Sequence, residues 1–188
     1  MIGPSPEPIA LPPPRAEGSF ALLRDPTRSS YREQLVEYLF LSELLQDAWL
    51  RRQQQIDVLR ADVDGAGYDL VADCQGVIRH VQLKSSIEGG LARSQKVHVA
   101  LAAQRSGCVV WVVLRPGEGD RLVRLSYRVL GSAPGEPIHD LSDYRVARHA
   151  KANAQGHKAE RPRIRDVPRS AFQELETTAE VSNWLFGP

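Results

Sequence analysis

The residues of this chain best suited to chemistry are an aspartate, a glutamine and a lysine in one short stretch. Asp69 follows Gly67-Tyr68, and Gln82 and Lys84 stand thirteen and fifteen positions later, with Leu83 between them. A carboxylate and an amide oxygen are hard ligands of the kind that Mg²⁺ prefers. A lysine can orient a water and stabilise charge that develops on phosphorus. Together these groups suit the metal-assisted hydrolysis of a phosphodiester, provided that they converge.

A turn signal predicts that they do converge. Gln75-Gly76 lies between two alternating stretches, a pattern typical of a β-hairpin with a two-residue loop. In that register Asp69 lies opposite Gln82, and directly opposed residues project to the same side of a sheet. Lys84 is two positions beyond Gln82 and shares its side, as does His80, which we interpret as a satisfied or exposed histidine. A slip of one residue would separate the group.

The helix predicted before this hairpin adds two carboxylates. Its apolar arc is formed by Phe40, Leu41, Leu44 and Ala48. Glu33 and Glu37 fall inside that arc, where a charge is costly unless something satisfies it. A metal or a lysine near Asp69 would do so, and a side chain that reaches water at the edge of the arc is the alternative. Glu37 falls between two members of the arc in projection and is favoured over Glu33.

The pattern as a whole predicts an α/β fold with a central mixed sheet flanked by helices. The predicted helices cover 31–51, capped by Ser29 or Ser30, then 94–105, and a last helix that a capping box at Thr177–Glu180 opens and that runs through Phe186. The predicted strands cover 56–63, 69–73, 77–84, 108–114, 121–130 and 164–167. The core is therefore expected at about 30–130, within one domain over 28–188.

Composition limits the class of protein. The 188 residues suit one domain with a sizeable core, and a net charge of +1 neither favours nor excludes a nucleic-acid partner. Cys74 and Cys108 are too few for a disulfide framework. The first residues lack the features of a signal peptide, and the longest apolar run, 108–114, is too short to cross a bilayer. We expect a cytoplasmic protein with no membrane partner.

Two segments outside the predicted core suggest partners. Residues 1–27 carry seven of the thirteen prolines and are expected to be a flexible arm, or else a ligand for a proline-reading protein. Residues 145–169 are strongly basic and suit a phosphate-tracking loop, although pairing with the protein's own acids is an equal alternative. The predicted phosphate-binding residues are Ser85, Ser86, Arg93 and Lys96 at the start of the second helix, Arg148, Lys151 and Lys158.

This arrangement resembles the PD-(D/E)XK nuclease superfamily, and the glutamine before x-Lys is similar to the Mrr-type restriction endonuclease branch, which shares its core with Holliday-junction resolvases. The resemblance covers about residues 30–115. It implies an αβββαβ core, a divalent metal (Mg²⁺ or Mn²⁺) and DNA cleavage. It makes Asp69, Gln82 and the Leu83 carbonyl metal ligands, with Glu37 or else Glu33 as the helix glutamate and Lys84 as the catalytic lysine. Tyr68 stands where the family often has proline.

Three hypotheses follow from the sequence. The first is a metal-dependent nuclease that acts on DNA, with a homodimer as one way to cut both strands. The second is a nucleic-acid-binding domain on the same core without catalysis. The third is a protein-interaction module that uses residues 1–27. Asp62 and Asp64 are better explained as solvated turn residues than as ligands of a second metal.

Overall fold

The computed structural model of the protein describes residues 22–61, 65–118, 121–149, 156 and 158–188. It has a mixed α/β architecture built on a six-stranded mixed sheet, and a three-stranded sheet covers part of one face. The predictions made for residues 1–21, Asp62, Asp64 and Lys151 lie outside the described residues.

The helices are α1 (Ser29–Gln46) and α2 (Thr178–Phe186). The strands are β1 (Ile56–Arg60), β2 (Leu70–Cys74), β3 (Val77–Ile87), β4 (Ser94–His98), β5 (Gly107–Pro116), β6 (Val123–Gly131), β7 (Arg145–Arg148), β8 (Glu160–Pro168) and β9 (Gln173–Leu175). A π-helical turn, Asp47–Arg52, follows α1, and 3₁₀ turns cover Pro26–Arg28, Val99–Ala103 and Arg169–Ala171. The large sheet has the strand order β1-β2-β3-β5-β6-β9, and the small sheet has the order β4-β8-β7.

The β2–β3 hairpin has the predicted two-residue loop. Gln75 and Gly76 have φ angles of 53° and 88°, as a type I′ turn requires at both central positions. The Gly76 N–H donates to the Asp73 carboxylate at 2.8 Å, which fixes the turn further. Cys74 pairs with Val77, so the predicted register is confirmed over the whole of β2.

The segment between β3 and β5 differs from the prediction. A helix over 94–105 was expected, but the chain forms β4 and then a single 3₁₀ turn before it enters β5. β4 leaves the large sheet and pairs antiparallel with β8, while β3 and β5 pair in parallel with each other. The apolar residues Val97 and Leu101 suit a helical spacing equally well, and the partner that makes Val97 part of a strand lies some seventy positions away at Arg165.

Two hydrophobic cores lie on opposite faces of the large sheet. The first packs α1 and α2 against one face, with Phe40, Leu44 and Leu185 fully buried. The second packs the small sheet and the 3₁₀ turn against the other face, around Trp111 and Leu101. All of β5 from Cys108 to Leu114 is buried because alternate side chains enter alternate cores, which is why its sequence is apolar without interruption.

The start of α1 also differs from the prediction. Ser29 is the first residue of α1 itself and not its cap. The cap is at Asp25, whose carboxylate accepts from the Thr27 N–H at the 3₁₀ turn that precedes α1. Residues 22–24, counted with the arm in the sequence prediction, are helical. Leu23 packs on the first core, and its carbonyl accepts a hydrogen bond of 2.6 Å from Arg32. The ordered fold therefore begins before residue 28.

The predicted capping box at α2 is confirmed. Thr177 accepts from the Glu180 N–H, and the Glu180 side chain accepts from the Thr177 N–H at 2.8 Å.

Both cysteines are buried free thiols in strands, and burial raises the pKa of the Cys108 thiol to about 11. Within the described residues, the helices are all too short or too polar to cross a membrane.

A buried tyrosine joins α1, β6 and α2. Tyr127 is 1% exposed, and its hydroxyl lies 2.6 Å from the Thr178 hydroxyl and donates to the Glu43 carboxylate at 3.1 Å. Burial is the main reason that the pKa of the Tyr127 phenol is raised well above its ordinary value. The phenol therefore stays protonated in the folded protein at any pH near neutrality.

We expect Tyr127→Phe to lower the free energy of unfolding by about 1–3 kcal/mol at pH 8, because it removes a buried hydrogen bond to a carboxylate. The raised pKa sets the pH dependence. The stabilisation from protonated Tyr127 is complete below the unfolded pKa of about 10 and is lost as the pH rises above it. Urea unfolding should show the difference between wild type and Tyr127→Phe narrowing between about pH 9 and pH 11. A constant difference would contradict this assignment.

Candidate active site

The end of the β2–β3 hairpin opens into a cavity of about 600 Å³. Its polar lining comes from four sources: α1, the end of β1, the strand pair β2–β3, and the start of β4. The polar residues around it are Ser30, Glu33, Gln34, Glu37, Arg60, Asp69, Lys84, Ser85 and Gln95. We call this space the hairpin cavity. It contains the predicted aspartate, the predicted lysine and both helix glutamates.

Two hydrogen bonds to β3, one from the backbone and one to the side chain, position Asp69 just before β2. Its N–H donates to the Val81 carbonyl at 2.9 Å, and its carboxylate accepts from the Leu83 N–H at 2.6 Å. The register of β2 and β3, continued by one residue, places Asp69 opposite Gln82 as predicted. Because the Leu83 N–H fixes one carboxylate oxygen, the position of the Asp69 side chain is set by the hairpin itself.

The approach to Asp69 depends on a glycine. Gly67 has a φ of +81°, and a Cβ atom there would lie 3.0 Å from the Leu101 N and 3.1 Å from the His98 Cβ. Both the left-handed backbone and the lack of space favour glycine at this position. The turn before β2 therefore packs closely on the end of β4 and on the 3₁₀ turn that follows it.

Lys84 and Ser85 lie on the part of β3 that extends past β2. β3 runs to Ile87, three residues beyond the predicted end, and its neighbour here is β5, where Trp111 pairs with Lys84. Lys84 is half-buried and lines the hairpin cavity. Ser85 lines it too, whereas the Ser86 hydroxyl accepts a hydrogen bond of 2.8 Å from the Trp111 indole N–H and is thereby bound into the second core.

The Gln82 side chain forms its hydrogen bond outside the hairpin cavity. It is 4% exposed, and its side-chain oxygen accepts a hydrogen bond of 3.3 Å from the backbone N–H of His98 in β4. The sequence prediction made this amide oxygen a metal ligand, but the structure directs it toward the small sheet, and Gln82 is not among the residues that line the hairpin cavity. In the described structure, Gln82 thus connects the hairpin to β4.

The two helix glutamates reach the same cavity from α1. Glu33 is exposed, and Glu37 is half-buried and forms an ion pair with Arg60 at the end of β1. We expected a metal or a lysine to satisfy the charge of Glu37, but in the structure Arg60 does so, and the sequence analysis did not select this arginine. The spacing of the residues could have indicated it, because Arg60 shares with Ile56 and Val58 the face of β1 that α1 covers.

His80 is satisfied within the fold rather than at the cavity. Its ring packs edge-on against Tyr68 at a centroid distance of 4.9 Å, and its Nδ1 atom lies 2.9 Å from the Arg105 carbonyl oxygen. Tyr68, at the position where the related motif often has proline, contributes in this way to the packing that positions Asp69.

The donor set of the hairpin cavity is chemically suited to a hard divalent cation. Asp69, Glu33 and Glu37 are carboxylates, and Mg²⁺ is commonly bound by one or two carboxylates with several waters. Among the residues that the structure describes, no group of three or more His, Cys, Asp or Glu side chains is already gathered closely enough to hold an ion. Asp69 and Glu33 both line the cavity, and these carboxylates could hold the ion if water completed its shell.

The residues predicted to bind phosphate are divided between two places. Ser85 is at the hairpin cavity, but Arg93 and Lys96 do not begin a helix: Arg93 precedes β4 and Lys96 lies within it. The segment predicted as a basic loop contains β7 and β8, which carry Arg148 and several other arginines into the small sheet. Some of these charges are paired, as in Arg145–Asp166 and Arg148–Glu160.

Gln95 is a further cavity residue that the sequence analysis did not select. It lies on β4 opposite Val167 and lines the hairpin cavity from the side of the small sheet. No motif marks it, and because a helix was predicted over this segment, its position at the cavity was not expected.

Comparisons of the chain with protein-family models, with curated proteins and with solved structures find no match.

Proposed function

We propose that this protein is a metal-dependent nuclease that hydrolyses phosphodiester bonds at the hairpin cavity. The observation that carries the proposal is that one cavity collects Asp69, Lys84 and the two glutamates of α1 around the end of a β-hairpin. A lysine beside carboxylates suits a reaction in which a water attacks phosphorus and negative charge accumulates on the phosphate oxygens. A purely structural ion-pair cluster would not need an open cavity of about 600 Å³.

Each residue has a role that follows from its position. Asp69, fixed by the Leu83 N–H, and Glu33 provide the carboxylates that would hold Mg²⁺ or Mn²⁺. When bound, the cation supplies a water of lowered pKa and polarises the phosphate. Lys84 orients the attacking water and stabilises the phosphate charge, and the Ser85 hydroxyl donates to a phosphate oxygen. Glu37 acts through Arg60, which it holds at the cavity rim.

The topology adds support to the resemblance that the sequence suggested. A helix is followed by the antiparallel strands β1, β2 and β3, and a later strand, β5, lies parallel to β3. The restriction-endonuclease-like core has this order, with a helix between its third and fourth strands. Here β4 and a 3₁₀ turn stand in place of that helix, so we propose a variant of the core in which a second sheet replaces one flanking helix.

The test is a cleavage panel with purified protein. Supercoiled plasmid, linear duplex, branched DNA, single-stranded DNA and RNA are each incubated with Mg²⁺, with Mn²⁺ and with a chelator. We expect cleavage of at least one substrate with a divalent cation and none with the chelator. Intact substrates under all conditions, with a protein whose circular dichroism shows it folded, would rule the proposal out.

A second candidate is a nucleic-acid-binding domain that does not catalyse. Two observations favour it: the Gln82 amide oxygen is bound to the His98 N–H, and Glu37 is paired with Arg60, so both have partners within the protein. Titration calorimetry distinguishes the two candidates. Uptake of Mn²⁺ that is lost in Asp69→Asn favours the nuclease, and nucleic-acid binding without any Mn²⁺ uptake favours the second candidate.

A further inference from the structure

The small sheet carries a second cavity, of about 320 Å³, whose lining is strongly basic. The polar residues around it are Lys96, Arg145, Arg148, His149, Lys158 and Asp166. Val97 and Val167 are fully buried in the second core, so their neighbours Lys96 and Asp166 project to the opposite face of the small sheet. The cavity therefore opens on the outer side, and we call it the basic cavity.

The carboxylate of Asp166 lies within the basic cavity and holds neighbouring side chains in place through hydrogen bonds. Asp166 accepts hydrogen bonds from the Ser94 hydroxyl at 2.6 Å and from Arg145 at 2.7 Å. These bonds, with Lys96 nearby, hold the pKa of Asp166 below its ordinary value, so it stays ionised near neutrality. Four lysine and arginine side chains line the cavity; Asp166 pairs with Arg145 and Glu160 pairs with Arg148, so four cations against two acids leave an excess of positive charge.

β4 is the wall between the two cavities. Gln95 lines the hairpin cavity, and the next residue, Lys96, lines the basic cavity. The two side chains project to opposite faces of β4, so this one strand separates the two spaces. Because β4 is an edge strand of the small sheet, an extended ligand that passes around this edge would contact both cavities.

We propose that the basic cavity binds a backbone phosphate of the same nucleic-acid strand whose phosphodiester the hairpin cavity holds. This subsite rests on the proposed function, because that function identifies the neighbouring ligand group as a phosphodiester. The cationic lining suits the phosphate, since the lysine ammonium groups of Lys96 and Lys158 attract it as point charges. The recognition is of the backbone, so it does not depend on base sequence.

The experiment measures binding without cleavage. A fluorescent oligonucleotide of about 20 nucleotides is titrated with protein in EDTA at several salt concentrations, because backbone contacts make affinity fall steeply with salt. Duplex DNA, single-stranded DNA and single-stranded RNA of one sequence are compared, with polyglutamate as a competitor. The variant is Lys96→Ala/Lys158→Ala, and both positions are exposed, so its fold should be intact by circular dichroism. The matched control is Arg51→Ala, which removes an exposed cation that lies in the π-helical turn after α1 and pairs with Asp47.

The affinity falls as salt rises, and we expect the double variant to make this dependence shallower. The slope of log affinity against log salt should lose about 0.7–0.9 in magnitude for each lost phosphate contact, which near 0.1 M salt is about a fivefold to eightfold loss of affinity per contact. Arg51→Ala should leave both quantities near their wild-type values. The proposal is overturned if the wild type binds none of the three nucleic acids at low salt. It is also overturned if Arg51→Ala weakens binding equally, or if polyglutamate binds as tightly and with the same dependence on Lys96 and Lys158.

These outcomes are separate from those of the cleavage panel. A protein that cleaves nothing but shows the expected salt dependence keeps the subsite and loses the nuclease assignment. A protein that cleaves but binds equally well with and without Lys96 and Lys158 keeps the nuclease assignment and loses the subsite.

Discussion

Replacing Lys84 by alanine is expected to lower the rate of nucleic-acid cleavage by at least about a hundredfold, and up to about 10⁴-fold, the range that a positioned acid–base group or charge-stabilising donor contributes. Lys84 lines the hairpin cavity together with Asp69 and the glutamates of α1, so its loss removes the cation to which we assign the attacking water. Initial rates on the best substrate of the panel measure the effect, with saturating Mg²⁺ or Mn²⁺.

Asp69 requires a gentler replacement than alanine. Its carboxylate accepts from the Leu83 N–H, and removing it would leave a partly buried donor without a partner at a cost of about 1–3 kcal/mol. Asp69→Asn keeps an oxygen for that bond and removes the charge. We expect it to lower the cleavage rate as strongly as Lys84→Ala does.

The control for both variants is Arg51→Ala, which removes an exposed charge that lies outside the hairpin cavity and pairs with Asp47. Its cleavage rate should remain near that of the wild type. Thermal unfolding of each variant separates a catalytic effect from a loss of structure. If Lys84→Ala cleaves at the wild-type rate while it remains folded, the proposed role of Lys84 is wrong.

The largest effect on stability is expected at Trp111. It is 1% exposed, packs edge-on against Phe172 at a centroid distance of 5.3 Å, and lies under the Arg128 guanidinium at 5.0 Å. We expect Trp111→Ala to lower the free energy of unfolding by about 3–5 kcal/mol, because it leaves a large void in the second core. Since Trp111 pairs with Lys84 across β3 and β5, this void also removes support from the hairpin cavity.

Trp49→Ala is the matched comparison, because Trp49 is 56% exposed and should change the free energy of unfolding by less than about 1 kcal/mol. Urea unfolding measures both variants. Where Trp111→Ala does not fold, Trp111→Phe keeps an aromatic ring but removes the indole N–H that donates to Ser86, and its loss should be intermediate. Equal losses for the two tryptophans would show that the second core does not depend on Trp111.

Local signals in the sequence predicted the elements whose structure is decided locally. The Gln75-Gly76 turn fixed the hairpin and its register, and the Thr177–Glu180 capping box marked the start of α2. The unbroken apolar run in β5 identified a strand buried on both faces. Because the register was right, the sequence also placed Asp69 and Lys84 on one side of the hairpin, and both line a single cavity.

Elements whose structure depends on distant partners were not predictable in the same way. β4 is a strand because β8 pairs with it, and the spacing of Val97 and Leu101 alone is compatible with a helix. The error propagated to the site. With a helix expected there, neither the His98 N–H that binds Gln82 nor the cavity position of Gln95 could be anticipated.

The pairing of Ser94 in β4 with Pro168 in β8 has a consequence for how the chain matures. During synthesis, β4 emerges from the ribosome long before its partner, so this strand beside the hairpin cavity lacks its backbone hydrogen bonds to β8 while more than sixty further residues are added. Pairing across such a separation is slow compared with closure of the local β2–β3 hairpin. The nascent protein should therefore form the β2–β3 hairpin early and the basic surface of the small sheet last, which would delay the proposed activity until translation is nearly complete.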